Sequence, residues 1–184
     1  LACQTHGGFT AAAGATVYQE KAQAVKRSGA MEVLLHTGET LDDVGGHDLL
    51  KSYMLDCAGT YSPDAQRFGL RMPKGVLLVG VPGTGKSLVA KAVGSLLRLP
   101  VLRLDAGALF GSYVGDSERN TREALAMAVA MAPIVLWIDE IEKGIGMASA
   151  AGSTDSGVSS RGVATILTWL QERTAPVIVM ATAN

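Results

Sequence analysis

Aromatic side chains are scarce in this chain: Phe, Trp and Tyr together make up 5% of its 184 residues. Ala, Gly, Leu and Val dominate instead, a composition that suits a parallel sheet covered by helices. Cysteine is nearly absent. Two residues, Cys3 and Cys57, are too few for a disulfide framework and fit a reducing compartment. An excess of either charge is also missing, since 16 Lys and Arg face 17 Asp and Glu for a net charge of −1. Without a basic footprint, nothing electrostatic argues for a nucleic-acid partner. No apolar run approaches the ~18 residues a membrane span needs, and no signal peptide is apparent, so a soluble protein with no membrane partner is expected. The chain starts at Leu1 rather than methionine and stops at Asn184, directly after an apolar stretch. Both ends are therefore expected to be cut from a longer protein. A hydrophobic content of 48% is enough for one well-buried domain with an appendage.

What is present is organised around Gly80-Val81-Pro82-Gly83-Thr84-Gly85-Lys86-Ser87. An apolar run, Val76 to Val79, precedes it, and a helix-period segment, Leu88 to Leu97, follows. Strand, glycine loop and helix in that order form a phosphate cradle. The glycines let successive backbone N–H groups curl inward, and the helix N-terminus adds partial positive charge from behind. The residues assigned to this contact are Pro82, Gly83, Thr84, Gly85, Lys86, Ser87 and Leu88. Lys86 supplies a full charge for the terminal phosphates of ATP or ADP, and the Ser87 hydroxyl is a ligand for Mg²⁺.

Around that loop the chain reads as alternating elements. Residues 1–40 are expected to be a connector with one helix, Val17 to Ser28, and a short apolar patch, Met31 to Leu35, leading to a loop. Residues 41–184 form the core domain. A helix from about His47 to Ala58 should bury Leu49, Leu50, Tyr53, Met54 and Cys57; His47 reads as its start rather than as a ligand. Ser62-Pro63 caps a brief helix. After the loop, Leu88, Val89, Ala92, Val93, Leu96 and Leu97 stripe one helix face. Val101 to Leu104 is a strand, and Leu109 to Gly115 a loop carrying two aromatics. A helix opens at Asp116-Ser117-Glu118 and runs to about Ala132.

Ile134 to Ile138 is an unbroken apolar run, as in a strand buried on both faces, and it ends in Asp139-Glu140. Adjacent carboxylates at the carboxyl end of such a strand stand where α/β sheets place their chemistry. Asp139 is assigned to the Mg²⁺ shell and Glu140 to proton abstraction from the attacking water. Ala148 to Ser156 reads as a mobile loop. The helix from Val158 to Glu172 should pack through Val163, Ile166, Leu167 and Leu170. Arg161 near its start is either a surface residue or one at a subunit boundary. Val177 to Ala181 is the fourth core strand.

From Leu41 to Asn184 the chain resembles the AAA+ ATPases with an aromatic pore loop. Asp43-Val44-Gly45-Gly46, the Gly80–Ser87 loop, Tyr113-Val114-Gly115-Asp116-Ser117-Glu118, Trp137-Ile138-Asp139-Glu140 and Ala181-Thr182-Ala183-Asn184 carry the likeness, in the family's order. Within the family, Leu102-Arg103-Leu104-Asp105, Leu109-Phe110-Gly111-Ser112, Gly157 to Arg161 and Leu167 to Glu172 resemble AAA ATPases of cyanobacteria and plastid genomes. The resemblance implies a three-layer P-loop NTPase of the AAA+ type, its parallel sheet stopping before the fifth strand and the helical lid. It implies that Val44 and Gly45 lie against the adenine, and that Asn184 orients the hydrolytic water. It also implies a self-assembled ring, usually a hexamer, in which a neighbour's arginine completes the site and Tyr113 and Val114 grip a polypeptide. The place of work would be the cytoplasm, or the plastid stroma for a plastid-encoded protein. Glu142-Lys143 departs from the family's usual Asp-Ala and is expected next to the site but not in it.

Two functions remain open on these residues. One is an ATP-driven remodeller that pulls on a protein through Tyr113. The other is a nucleotide-gated assembly or signalling switch in which nothing is threaded and Tyr113 simply packs within the domain. A helicase-like role finds no basic–aromatic stripe to support it.

Overall fold

A computed structural model of the chain describes residues 30–35, 38–60, 62–71, 73–110, 116–143 and 156–184. Five strands form one sheet, in the spatial order β1 (Met31–Leu34), β3 (Val101–Asp105), β4 (Ile134–Asp139), β5 (Val177–Ala183) and β2 (Gly75–Val79). β2 to β5 run parallel, and β1 lies antiparallel against β3. The helices are α1 (Asp48–Gly59), α2 (Pro63–Arg67), α3 (Lys86–Leu97), α4 (Ala106–Phe110), α5 (Asp116–Ala130) and α6 (Ser156–Glu172). A single helical turn at 141–143 follows β4.

The central strands β3, β4 and β5 are buried on both faces because their successive residues feed two separate cores. Ile134, Leu136 and Ile138 of β4 join Leu102, Leu104 and Val179 beneath Leu125 and Ala128 of α5 and Ile166 of α6. Val135 and Trp137 point the other way, into a core with Val89 and Val93 of α3 and Met54 and Cys57 of α1. The chain leaves β2 and crosses two strands to reach β3, then returns through β4 and β5, so α3 covers one face while α5 and α6 cover the other. Connections that diverge in this way open a crevice at the carboxyl ends of the strands. Register aligns those ends, with Asp105 opposite Asp139 and Val79 opposite Ala183.

Four sequence expectations change. Met31 to Leu34 is not a patch leading to a loop but the antiparallel edge strand, with Met31 opposite Leu104 and Leu34 opposite Val101. Leu109 and Phe110 belong to α4 and are buried in the core rather than lying in a loop. On α1, Leu49 is 91% exposed and Tyr53 47%, so the buried face narrows to Leu50, Met54 and Cys57. Leu167 of α6 is likewise exposed, while Ile166 on its other side carries the contact. A narrow stripe is what remains when a helix meets a sheet along one row only. The helix expected over Val17–Ser28, the loop over Ala148–Ser156, and Tyr113 and Val114 lie outside the described residues, as does the Arg161 side chain.

Candidate active site

The 80–87 segment leaves the end of β2 and turns into α3. Gly83 and Gly85 adopt φ of 85° and 86°, a left-handed backbone that glycine takes without the steric penalty of a Cβ. Gly85 is the N-cap of α3. The turn is tied internally by Thr84 Oγ1, which donates to the Val81 carbonyl at 2.9 Å, and to the sheet by Gly80 N–H, which donates to the Ala183 carbonyl at 3.2 Å. Lys86 Nζ donates to the carbonyls of Gly80 and Val81 at 2.5 and 2.9 Å, so its charge is held at the mouth of the loop.

Across the crevice stands the end of β4. Asp139 accepts two bonds, from the buried Thr182 hydroxyl at 2.8 Å and from Arg103 Nη2 at 2.7 Å. Donating to Asp139 raises the pKa of the Arg103 guanidinium. Glu140 sits at φ 54°, a left-handed conformation uncommon for a residue with a side chain. Its N–H donates to Thr182 Oγ1 at 3.2 Å, so a single hydroxyl bridges the two neighbouring carboxylate residues. Strained backbone of this kind persists where surrounding contacts enforce it and concentrates at functional sites. The Glu140 carboxylate accepts from Lys143 Nζ, which raises the lysine pKa. Asn184 Nδ2 donates to Glu142 Oε1 at 3.0 Å.

Pro82, Gly83, Gly85, Lys86, Ser87, Asp139, Glu140, Thr182 and Asn184 line one cavity of about 400 Å³. Sequence reasoning had named all of these except Thr182. Thr84, Leu88, Val44 and Gly45 were named too but do not line it: Leu88 packs toward the α3-side core, and Val44 is buried in that core. His47, at φ 58° before α1, places Nε2 3.3 Å from the Thr84 carbonyl and so joins the turn after Val44 to the phosphate loop. Glu142 and Lys143, expected beside the site, contact two of its side chains directly. Arg103, Thr182 and Lys143 were missed as site residues. For Arg103 a signal was present, a lone charge within the apolar Val101–Leu104 strand.

The donor set fits a nucleotide-borne cation. The Ser87 hydroxyl and Asp139 carboxylate, both hard oxygen donors, face the same cavity. Among the described residues no cluster of three or more His, Cys, Asp or Glu side chains could hold a metal alone. Mg²⁺ is ordinarily bound in this way, through one or two carboxylates together with substrate phosphates.

A glycine loop between a strand and a helix, facing a carboxylate at the end of a parallel strand one place removed in the sheet, defines the P-loop nucleotide-binding proteins. Within that class, the sequence model of the ATPase family associated with various cellular activities (AAA) matches residues 76–184, and the chain belongs to this family. An uncharacterized AAA domain-containing protein, ycf46, of Pyropia yezoensis is 43% identical over 91% of the chain and 34% of the relative. The ycf46 protein of Guillardia theta is 41% identical over 91% of the chain and 33% of the relative. The ATP-dependent zinc metalloprotease FtsH 3 of Sphaerobacter thermophilus is 34% identical over 74% of the chain and 28% of that protein. The chain thus spans about a third of the length of the ycf46 proteins it matches. It is an AAA ATPase module with a nucleotide-binding site. No helix among the described residues is long and apolar enough to cross a membrane.

Proposed function

We propose that this chain is the Mg-ATP-hydrolysing module of a ring-forming protein remodeller, working in the cytoplasm or, if plastid-encoded, in the stroma. The observation that supports the chemistry is the convergence of Lys86, Ser87, Asp139, Glu140 and Asn184, from the ends of three strands, on one cavity. Lys86 exchanges its two carbonyl partners for anionic phosphate oxygens, adding ion-pair attraction to bonds its ammonium already strengthens. Ser87 and Asp139 hold Mg²⁺, which when bound neutralises charge on the transferring phosphoryl group. Glu140 takes the proton of the attacking water, help that contributes roughly 10²–10⁴ in rate. Its contact with Lys143 is solvent-exposed and therefore weak enough to open. Asn184 orients the same water, and Val44 and Gly45 border the adenine, linked to the loop through His47. A neighbour's arginine completes each site of the ring, and Tyr113 with Val114 grips the polypeptide.

The test has two arms. In a titration with fluorescent ATP, Lys86→Ala weakens binding while circular dichroism stays unchanged; equal affinities in the two proteins would remove the nucleotide assignment. In the assembled protein, an unfolded polypeptide accelerates ATP turnover. A rate that ignores the polypeptide would leave a nucleotide-gated switch in place of a remodeller.

A further inference from the structure

Asp139 is the one carboxylate of the site whose two oxygens are both engaged by fixed donors. Thr182 occupies Oδ1 and Arg103 occupies Oδ2. Arg103 itself is held from three sides. It stands on β3 at the position paired with Trp137 of β4, and its guanidinium carbon lies 5.0 Å from the centroid of that indole. Glu32, opposite Arg103 on β1, places Oε2 3.8 Å from Nη1. The Asp139 side chain is only 13% exposed, so its pairing with Arg103 is far less screened than an ion pair on the outer surface. An ionised carboxylate has about four lone-pair directions. Two are taken here, and two remain for a metal ion or its water.

We infer that Arg103 is a positioning residue that reserves Asp139 for a metal arriving on a nucleotide. The inference rests on the Mg-ATP reading of the same cavity and adds a rule about what that cavity admits. A bare divalent cation approaching Asp139 meets a carboxylate already neutralised by a guanidinium, and it meets that positive charge at close range. A metal–nucleotide complex is net negative and brings its own phosphate ligands, so the same arginine does not repel it. Arg103 meanwhile keeps the carboxylate in one orientation, as partners of metal-ligating side chains commonly do. The planar fork of arginine holds the carboxylate and lies on Trp137 at once.

The experiment measures Mn²⁺ bound to the nucleotide-free chain by electron paramagnetic resonance, beside fluorescent-nucleotide binding in EDTA. Arg103→Met keeps an aliphatic stem over Trp137 and removes the charge. It tightens Mn²⁺ binding by about tenfold, the size expected for removing one unit charge a few ångströms from a divalent ion in a wet site. Arg103→Lys stays near the parent, which separates charge from packing. Adding Asp139→Asn to Arg103→Met erases the gain, and this locates the ion at Asp139. The parent binds nucleotide in EDTA and in Mg²⁺, which keeps the ATP reading separate from the rule about the bare ion. If Arg103→Met binds Mn²⁺ no more tightly than the parent, or more weakly, the inference is overturned. If Arg103→Met does not fold, Arg103→Lys with at least threefold weaker or stronger Mn²⁺ binding than the parent overturns it as well. If the parent binds no nucleotide in EDTA or in Mg²⁺, the failure belongs to the ATP reading instead.

Discussion

Thr182 shows how much one hydroxyl can organise. It donates to Asp139 Oδ1 and accepts from Glu140 N–H, using both of its capacities on the two residues assigned to metal and proton. Thr182→Val keeps the shape and leaves a carboxylate oxygen and an amide without their partner, which costs about 1–3 kcal/mol. Thermal melting should fall accordingly. ATP turnover should fall with it, because the left-handed backbone at Glu140 loses the bond that braces it. Thr182→Ser should restore both. A valine protein with parental melting and turnover would mean that the bridge is idle. Thr182 and Arg103 were hard to read as site residues, because their partners lie 42 and 36 residues away across strands whose pairing no local pattern reveals. Lys143 lies only 3 residues from Glu140, but its single turn is too short to carry a helical period. Lys86, Ser87, Asp139, Glu140 and Asn184 were legible because a loop motif or a strand end marks each of them locally.

Among the elements, α3 continues the loop and lies very close to the sheet. A Cβ built on Gly94 would run into Val101 Cγ2 and meet the Leu99 carbonyl at 3.3 Å. Two effects then oppose each other in Gly94→Ala. Helix propensity favours alanine by about 1 kcal/mol, whereas overpacking a filled core costs about 1–3 kcal/mol. Val101 is fully buried and β-branched, so it has nowhere to turn. Overpacking wins, and Gly94→Ala should lower the denaturation midpoint rather than raise it; a higher midpoint would show that α3 can lift away at little cost. Helical and long apolar periods made α1, α3, α5, α6 and β4 legible. β1 escaped because four residues are too few for a period, and its strand character comes from pairing with β3.

On the scale of the whole molecule, the proposed chemistry is asymmetric, since phosphoryl-transfer sites of this type gain roughly 10³–10⁵ in rate from an arginine supplied by a partner. The 184-residue chain alone should therefore bind nucleotide and hydrolyse it barely above background. Brisk turnover that is independent of concentration would contradict assembly into a ring. The sheet, too, is asymmetric. Its β1 side closes with a short antiparallel strand, but among the described residues nothing pairs with the outer edge of β2, where Leu77 is 57% and Val79 70% exposed. An apolar strand with a free row of amides and carbonyls is adhesive toward other strands. The same segment feeds directly into the phosphate loop at Gly80. A strand added at that edge would lie next to the phosphate loop, so covering the seam and shaping the mouth that receives the fuel involve the same stretch of backbone.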